Sequence, residues 1–91
     1  MQKIKITCLP RWISEIHLKQ FFNSCGKIIV AGVDLDQNTL RPLGTGYLVF
    51  ADDASMQRAL AKDGCLLDGV VIRVAIDLGI EEPTVEEVIN D

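Results

Sequence analysis

The stretch LGTGYLVF, residues 43–50, sets two glycines, Gly44 and Gly46, against two rings, Tyr47 and Phe50. Read as a strand, it sends Leu48 and Phe50 to one side and Tyr47 and Val49 to the other. The glycines let the backbone bend and let a helix or a ligand come close. One side is a core face. The other offers a single platform residue, Tyr47.

Working outward, KIKITCLP (residues 3–10) alternates, with Ile4 and Ile6 on one face and Lys3, Lys5 and Thr7 on the other, and Pro10 stops it. Residues 14–26 read as a helix. Ser14 caps it, Glu15 suits its first turn, Leu18, Phe21, Phe22 and Cys25 form its apolar stripe, and Gly26 ends it. A β-branched strand over 27–35 and a polar loop over 36–44 lead into the third strand, 45–50. A second helix over 52–64 is capped by Asp52 or Asp53, with Met56, Ala59 and Leu60 on its apolar side. A short turn precedes a last strand over 70–76. The order β-α-β-β-α-β, with right-handed crossovers, predicts an α+β, ferredoxin-like sandwich: a four-stranded antiparallel sheet with both helices on one face and the other face open.

The bulk composition is compatible with one small domain. In 91 residues, 48% are hydrophobic and 24% charged, a globular balance. No apolar run approaches the roughly 18–20 residues of a membrane span. The start, MQKIKITCLP, lacks signal-peptide architecture, so an intracellular protein of nucleus or cytoplasm is expected. Cys8, Cys25 and Cys65 are odd in number and scattered, and with a single histidine, His17, they suggest neither a disulfide framework nor a metal site. All three cysteines read as small core residues, with Cys25 the most reactive candidate. Net charge is −4, yet residues 77–91 hold six acids and no base, which leaves 1–76 with nine bases and seven acids. The acidity belongs to a tail. We therefore divide the chain into a domain, 1–77, and an acidic tail, 78–91, in which Thr84 and Glu87 have capping-box spacing and Val85, Val88 and Ile89 share a face.

With its elements placed, the chain resembles the RNA recognition motif family over about residues 3–76. The family's eight-residue signature runs basic, Gly, aromatic, Gly/Ala, aromatic, aliphatic, any, aromatic. Residues 43–50 fit it at six of eight positions. Residues 4–9 stand where the family's first-strand signature falls, LPRWIS resembles its first loop, and LLDGVVIRV resembles its fourth strand. The resemblance implies three base-stacking positions, here Lys5, Thr45 and Tyr47. Two of these three rings are missing, and each lost stack is worth about 1–3 kcal/mol.

Alternation places Lys3, Lys5, Thr7, Val30, Gly32, Asp34, Thr45, Tyr47, Val49, Val71, Arg73 and Ala75 on the open face. From these the RNA-binding candidates are Lys3, Lys5, Thr7, Thr45, Tyr47, Val49 and Arg73. Tyr47 would stack a base, and Lys5 and Arg73 would meet phosphate or, for Arg73, a base plane. Arg11, Trp12 and Arg41 are loop contact candidates, with Lys27 near the rim. Trp12 reads either as a lid over the core or as a contact residue. The expected partner is single-stranded RNA, bound weakly in messenger RNA processing, translation or turnover. The alternative is a protein-interaction module on the same scaffold, whose partner would use the aliphatic sheet face, the Trp12 loop or the helices. A monomer without metal, cofactor or membrane contact is expected, and no residue pattern suggests an enzyme. The tail reads either as a helix docked over the sheet, which would inhibit RNA binding, or as an acidic linker.

Overall fold

β1 (Lys3–Thr7) lies at the centre of the sheet, and its alternation governs the rest. Ile4 and Ile6 are fully buried while Lys5 between them is exposed. β1 pairs antiparallel with β3 (Pro42–Phe50) on one side and with β6 (Arg73–Ile76) on the other; β2 (Ile28–Leu35) closes the far edge on β3. The sheet order is β2-β3-β1-β6. This computed structural model describes residues 2–77. The segment 78–91, read above as an acidic tail, lies outside the described residues.

Helix α1 (Glu15–Phe22) buries Leu18 and Phe22, and α2 (Asp53–Leu60) buries Met56 and Ala59. They meet Ile4, Ile6, Leu48, Phe50 and Val74 from the sheet, and Ile72 just before β6, in one core. The cap of α2 is Asp52, whose carboxylate accepts the Ser55 N–H at 2.8 Å. At the start of α1 the Ser14 N–H donates to His17 Nδ1 at 3.0 Å, so His17 is an exposed capping residue. At Gly46 a side chain would run into the Gly32 carbonyl and Leu18, so the missing Cβ brings α1 close to the sheet.

Several expectations need correction. β3 begins at Pro42, not at residue 45, since a proline can open a strand without supplying a ladder donor, and Pro42 pairs with Leu35. The last predicted strand is broken. Val70–Val71 (β5) folds back on Leu66–Leu67 (β4) as a separate hairpin, and only Arg73–Ile76 joins the sheet. α1 stops at Phe22 and continues as a 3₁₀ turn, Asn23–Cys25, while α2 stops at Leu60. Past α2 the Gly64 N–H donates to the Ile72 carbonyl (2.9 Å) and the Ile72 N–H to the Cys65 carbonyl (3.0 Å), which pulls the chain away from the helix axis. Cys25 alone among the cysteines is a core residue. Cys8 and Cys65 are exposed, because each lies past the end of a buried element. The most accessible thiols are therefore those two, and not Cys25.

Candidate nucleic-acid interface

The pairing register turns the open face into short rows across the strands. In the middle row Gly32, Tyr47, Lys5 and Ala75 are successive neighbours on β2, β3, β1 and β6. Beside it run Val30, Val49 and Lys3. On the other side come Asp34 and Thr45, then Thr7 paired with Arg73.

Tyr47 is laid down rather than standing. A Cβ on Gly32 would fall 2.6 Å from Tyr47 Cζ and 2.6 Å from its Oη, so the phenol end occupies the space a side chain on Gly32 would need. Gly32, expected on the exposed face, is buried for that reason. The Lys3 ammonium stands 4.9 Å from the Tyr47 ring centroid, within cation–π range. Lys3 also pairs with Asp77 Oδ2 at 3.5 Å. The ring is thus fixed by its neighbours, and a base laid on it meets an existing cation.

Two further polar side chains of the face, Thr45 and Arg73, are also engaged. Thr45 Oγ1–H donates to Asp34 Oδ2 at 2.7 Å. Arg73 Nε–H donates to Asp63 Oδ1 at 2.9 Å, and the same oxygen accepts the Val74 N–H at 2.8 Å. The Arg73 guanidinium, followed by the Val74 N–H, holds the Asp63 carboxyl below the usual aspartate value, and the Asp63 hydrogen bond raises Arg73 in return. Arg73 is therefore drawn toward the loop after α2. Lys5, Arg11 and Arg41 are exposed and have no side-chain hydrogen bond or ion pair among the described residues.

Trp12 is not a lid over the core. It is 62% exposed, and its Nε1–H donates to Asp68 Oδ2 at 2.7 Å. Together with the Leu9 N–H to Gly44 carbonyl bond (2.9 Å), this gathers the first loop, the start of β3 and the β4–β5 hairpin at one end of the sheet. Val71, expected on the sheet, belongs to that hairpin. Sequence reasoning missed the carboxylates that hold these side chains, Asp34, Asp63, Asp68 and Asp77, and the seat at Gly32. Among the described residues no group of three or more His, Cys, Asp or Glu side chains is placed to hold a metal ion, and no helix is long and apolar enough to cross a membrane.

The helices on one side and a ring-and-cation platform on the other define a ferredoxin-like α+β domain with an open sheet face. The chain belongs to the RNA recognition motif family, whose sequence profile matches residues 4–73. It is similar to the chloroplastic 31 kDa ribonucleoprotein of Nicotiana sylvestris, 37% identical over 75 residues that cover 81% of this chain and 24% of that protein. It is also similar to the serine/arginine-rich splicing factor SR45 of Arabidopsis thaliana, 32% identical over 76 residues, covering 82% of this chain and 18% of that one. The chain thus spans about a quarter or less of these relatives. Among solved structures, the Sxl-lethal protein in a protein/RNA complex superposes with a TM-score of 0.78 at 24% identity, over 84% of this chain and 47% of that one. The RNA15 RRM gives 0.79 at 18% identity, over 84% and 88%. These two structures share the fold.

Proposed function

We propose that this domain binds single-stranded RNA across its open sheet face, as a weak module in messenger RNA processing, translation or turnover. The observation that carries the reading is the Tyr47 ring, seated over Gly32 with Lys5 beside it, on the exposed face of a domain of this family. One base stacks on Tyr47. Lys5 meets a phosphate directly, while Lys3 and Arg73 do so by exchanging Asp77 and Asp63 for phosphate. Thr7, Thr45 and Val49 line the strand's path. The relatives named as a ribonucleoprotein and a splicing factor, and the neighbour seen with RNA, support this assignment. One stack and a few phosphate contacts supply little more than about −8 kcal/mol, so the affinity is micromolar or weaker. The domain acts as an intracellular, monomeric binding module with no catalytic step. The compartment is nucleus, cytoplasm or, by analogy with the chloroplastic relative, an organelle.

One observation favours a second reading. Val30 is exposed beside Val49, an aliphatic patch suited to a partner protein.

Amide NMR spectra recorded during titration with short mixed-sequence RNA test the proposal, on residues 1–91 and on 1–77. Shifts cluster on 3–7, 45–49 and 73–75, and Tyr47→Ala lowers affinity by roughly 5- to 150-fold with the fold intact. We assign 78–91 the role of an acidic competitor for the face, so the shorter chain binds more tightly. A wild-type spectrum indifferent to RNA in both forms overturns the assignment in favour of the protein partner.

A further inference from the structure

Trp12 is exposed yet fixed. Its indole N–H is anchored on Asp68, which with Gly69 forms the two-residue turn of the β4–β5 hairpin. Asp68 has φ 53° and Gly69 φ 82°, the left-handed pair of a type I′ turn, the tightest hairpin connection. An indole held by its polar edge keeps its orientation while its hydrophobic faces stay available, the arrangement a stacking platform requires. A tryptophan whose only task was packing would be buried, and this one is not.

The surroundings continue the RNA face. Val71, Arg73 and Ala75 are exposed in alternation with buried Ile72 and Val74. Leu66 is paired with Val71 and is likewise exposed. The open face therefore runs past Arg73 onto a Leu66–Val71 shelf, and the turn of that same hairpin holds Trp12. Strand spacing puts this shelf on the order of 15–20 Å from Tyr47. The cations at this end are Arg11, adjacent to Trp12, and Arg73; the nearby acids Asp63 and Asp68 are already bound to Arg73 and Trp12. The two cations and two carboxylates balance, since the neutral indole leaves Asp68 charged, so attraction at this end has to come from the exposed ring and apolar shelf.

We infer that Trp12 is a second base-stacking site, taking an unpaired nucleobase of the same RNA strand whose other base lies on Tyr47. This rests on the RNA-binding reading and extends it. It supplies from a loop one of the rings the sheet lacks, and it requires an RNA long enough to span both platforms.

The chain contains a single tryptophan, so its fluorescence reports on this site alone. We would titrate the full chain with a dinucleotide and an octanucleotide, following tryptophan fluorescence and sheet amide shifts together. The octanucleotide quenches Trp12 and shifts its indole N–H resonance in step with the sheet amides, while the dinucleotide moves the sheet more than the indole. Trp12→Ala weakens octanucleotide binding by roughly 5- to 150-fold and Trp12→Phe by much less. Asp68→Asn, which keeps an acceptor, binds like wild type, whereas Asp68→Gly, which tolerates the positive φ of the turn but removes the acceptor, binds less well. Sheet shifts that saturate while Trp12 stays silent, with Trp12→Ala binding normally, overturn this inference and leave the Tyr47 site standing. The absence of any response from sheet and indole removes both. A Trp12 silent to RNA but required by a co-purifying protein hands the patch to a protein partner and likewise overturns the inference.

Discussion

Replacing Gly32 by alanine tests the seat under Tyr47. The new methyl carbon would lie 2.6 Å from Tyr47 Cζ and Oη, whereas carbon atoms settle at about 3.5–4.0 Å. The phenol end has to withdraw by about 1 Å. A side chain forced off its rotamer costs about 0.5–1.5 kcal/mol, and tilting the ring away from Lys3 gives up a cation–π contact of about 0.5–1 kcal/mol. Against this, alanine gains about 0.5–1 kcal/mol over glycine inside a strand. The net loss is about 1 kcal/mol, a melting point lowered by about 4–8 °C for a domain of this size. Removing the ring reverses the sign. In a Tyr47→Ala background the clash is gone, and Gly32→Ala stabilises by about 0.5–1 kcal/mol. The two substitutions therefore couple by more than 1 kcal/mol, read by thermal denaturation of the four proteins of the cycle. RNA binding, measured by fluorescence anisotropy, weakens in Gly32→Ala because the ring is no longer flat, and is indifferent to it once Tyr47 is alanine. Equal effects of Gly32→Ala in both backgrounds would refute the seat.

Two further outcomes follow from the carboxylates. Asp77→Asn releases Lys3 from its ion pair and strengthens RNA binding a few-fold, with a steeper dependence on salt, as anisotropy titrations at two ionic strengths would reveal; unchanged affinity and slope would remove Asp77 as a competitor. Asp36, Asp52 and Asp63 lie below the ordinary value of 3.8. The first is held there mainly by the Thr39 N–H, the second by the Ser55 N–H and the third by Arg73. A folded value below the unfolded one means their stabilisation is complete above the unfolded value and disappears as pH falls through the folded one. The melting temperature owes no change to these groups between about pH 5 and 8 and declines below about pH 4, and Asp63→Asn makes that acid limb shallower.

The inward half of the fold is legible in the sequence because it is periodic. Ile4, Ile6, Leu48 and Phe50 declare themselves by alternation within a few residues, and they are fully buried. The opening pair of glycines is also half explained by local reasoning, since Gly46 does admit a helix. Gly32 is different. Its place beneath Tyr47 depends on the register of β2 against β3, and that register shifts between Val33 and Leu35, an irregularity no residue pattern announces. The anchoring carboxylates are hidden for a related reason. Asp68 lies 56 positions from the Trp12 it holds, and Asp34 lies 11 from Thr45. Such pairs exist only once strands and loops are in place. The Asp68-Gly69 dipeptide signals a turn, but not the indole bound to it. The broken last strand is the same lesson: VVIRVAI reads as continuous, and only the backfolding of Val70–Val71 onto Leu66–Leu67 divides it.

The prior engagement of the face has a consequence for how it binds. A phosphate approaching Lys3 or Arg73 replaces a carboxylate rather than water and loosely held counterions. The Coulomb gain is then a difference between two anion contacts, small even where each contact is good. Counterion release, which gives nucleic-acid binding its salt dependence, remains mainly for cations such as Lys5, Arg11 and Arg41, which have no side-chain partner among the described residues. If the face binds RNA as proposed, affinity has to come from the rings. Tyr47 is fixed over Gly32 by close contact and Trp12 by a hydrogen bond at its edge, so neither gives up much freedom when a base arrives. On the proposed reading, such a face discriminates against duplex RNA, whose bases are already stacked, and accepts single strands whose bases are free to lie flat.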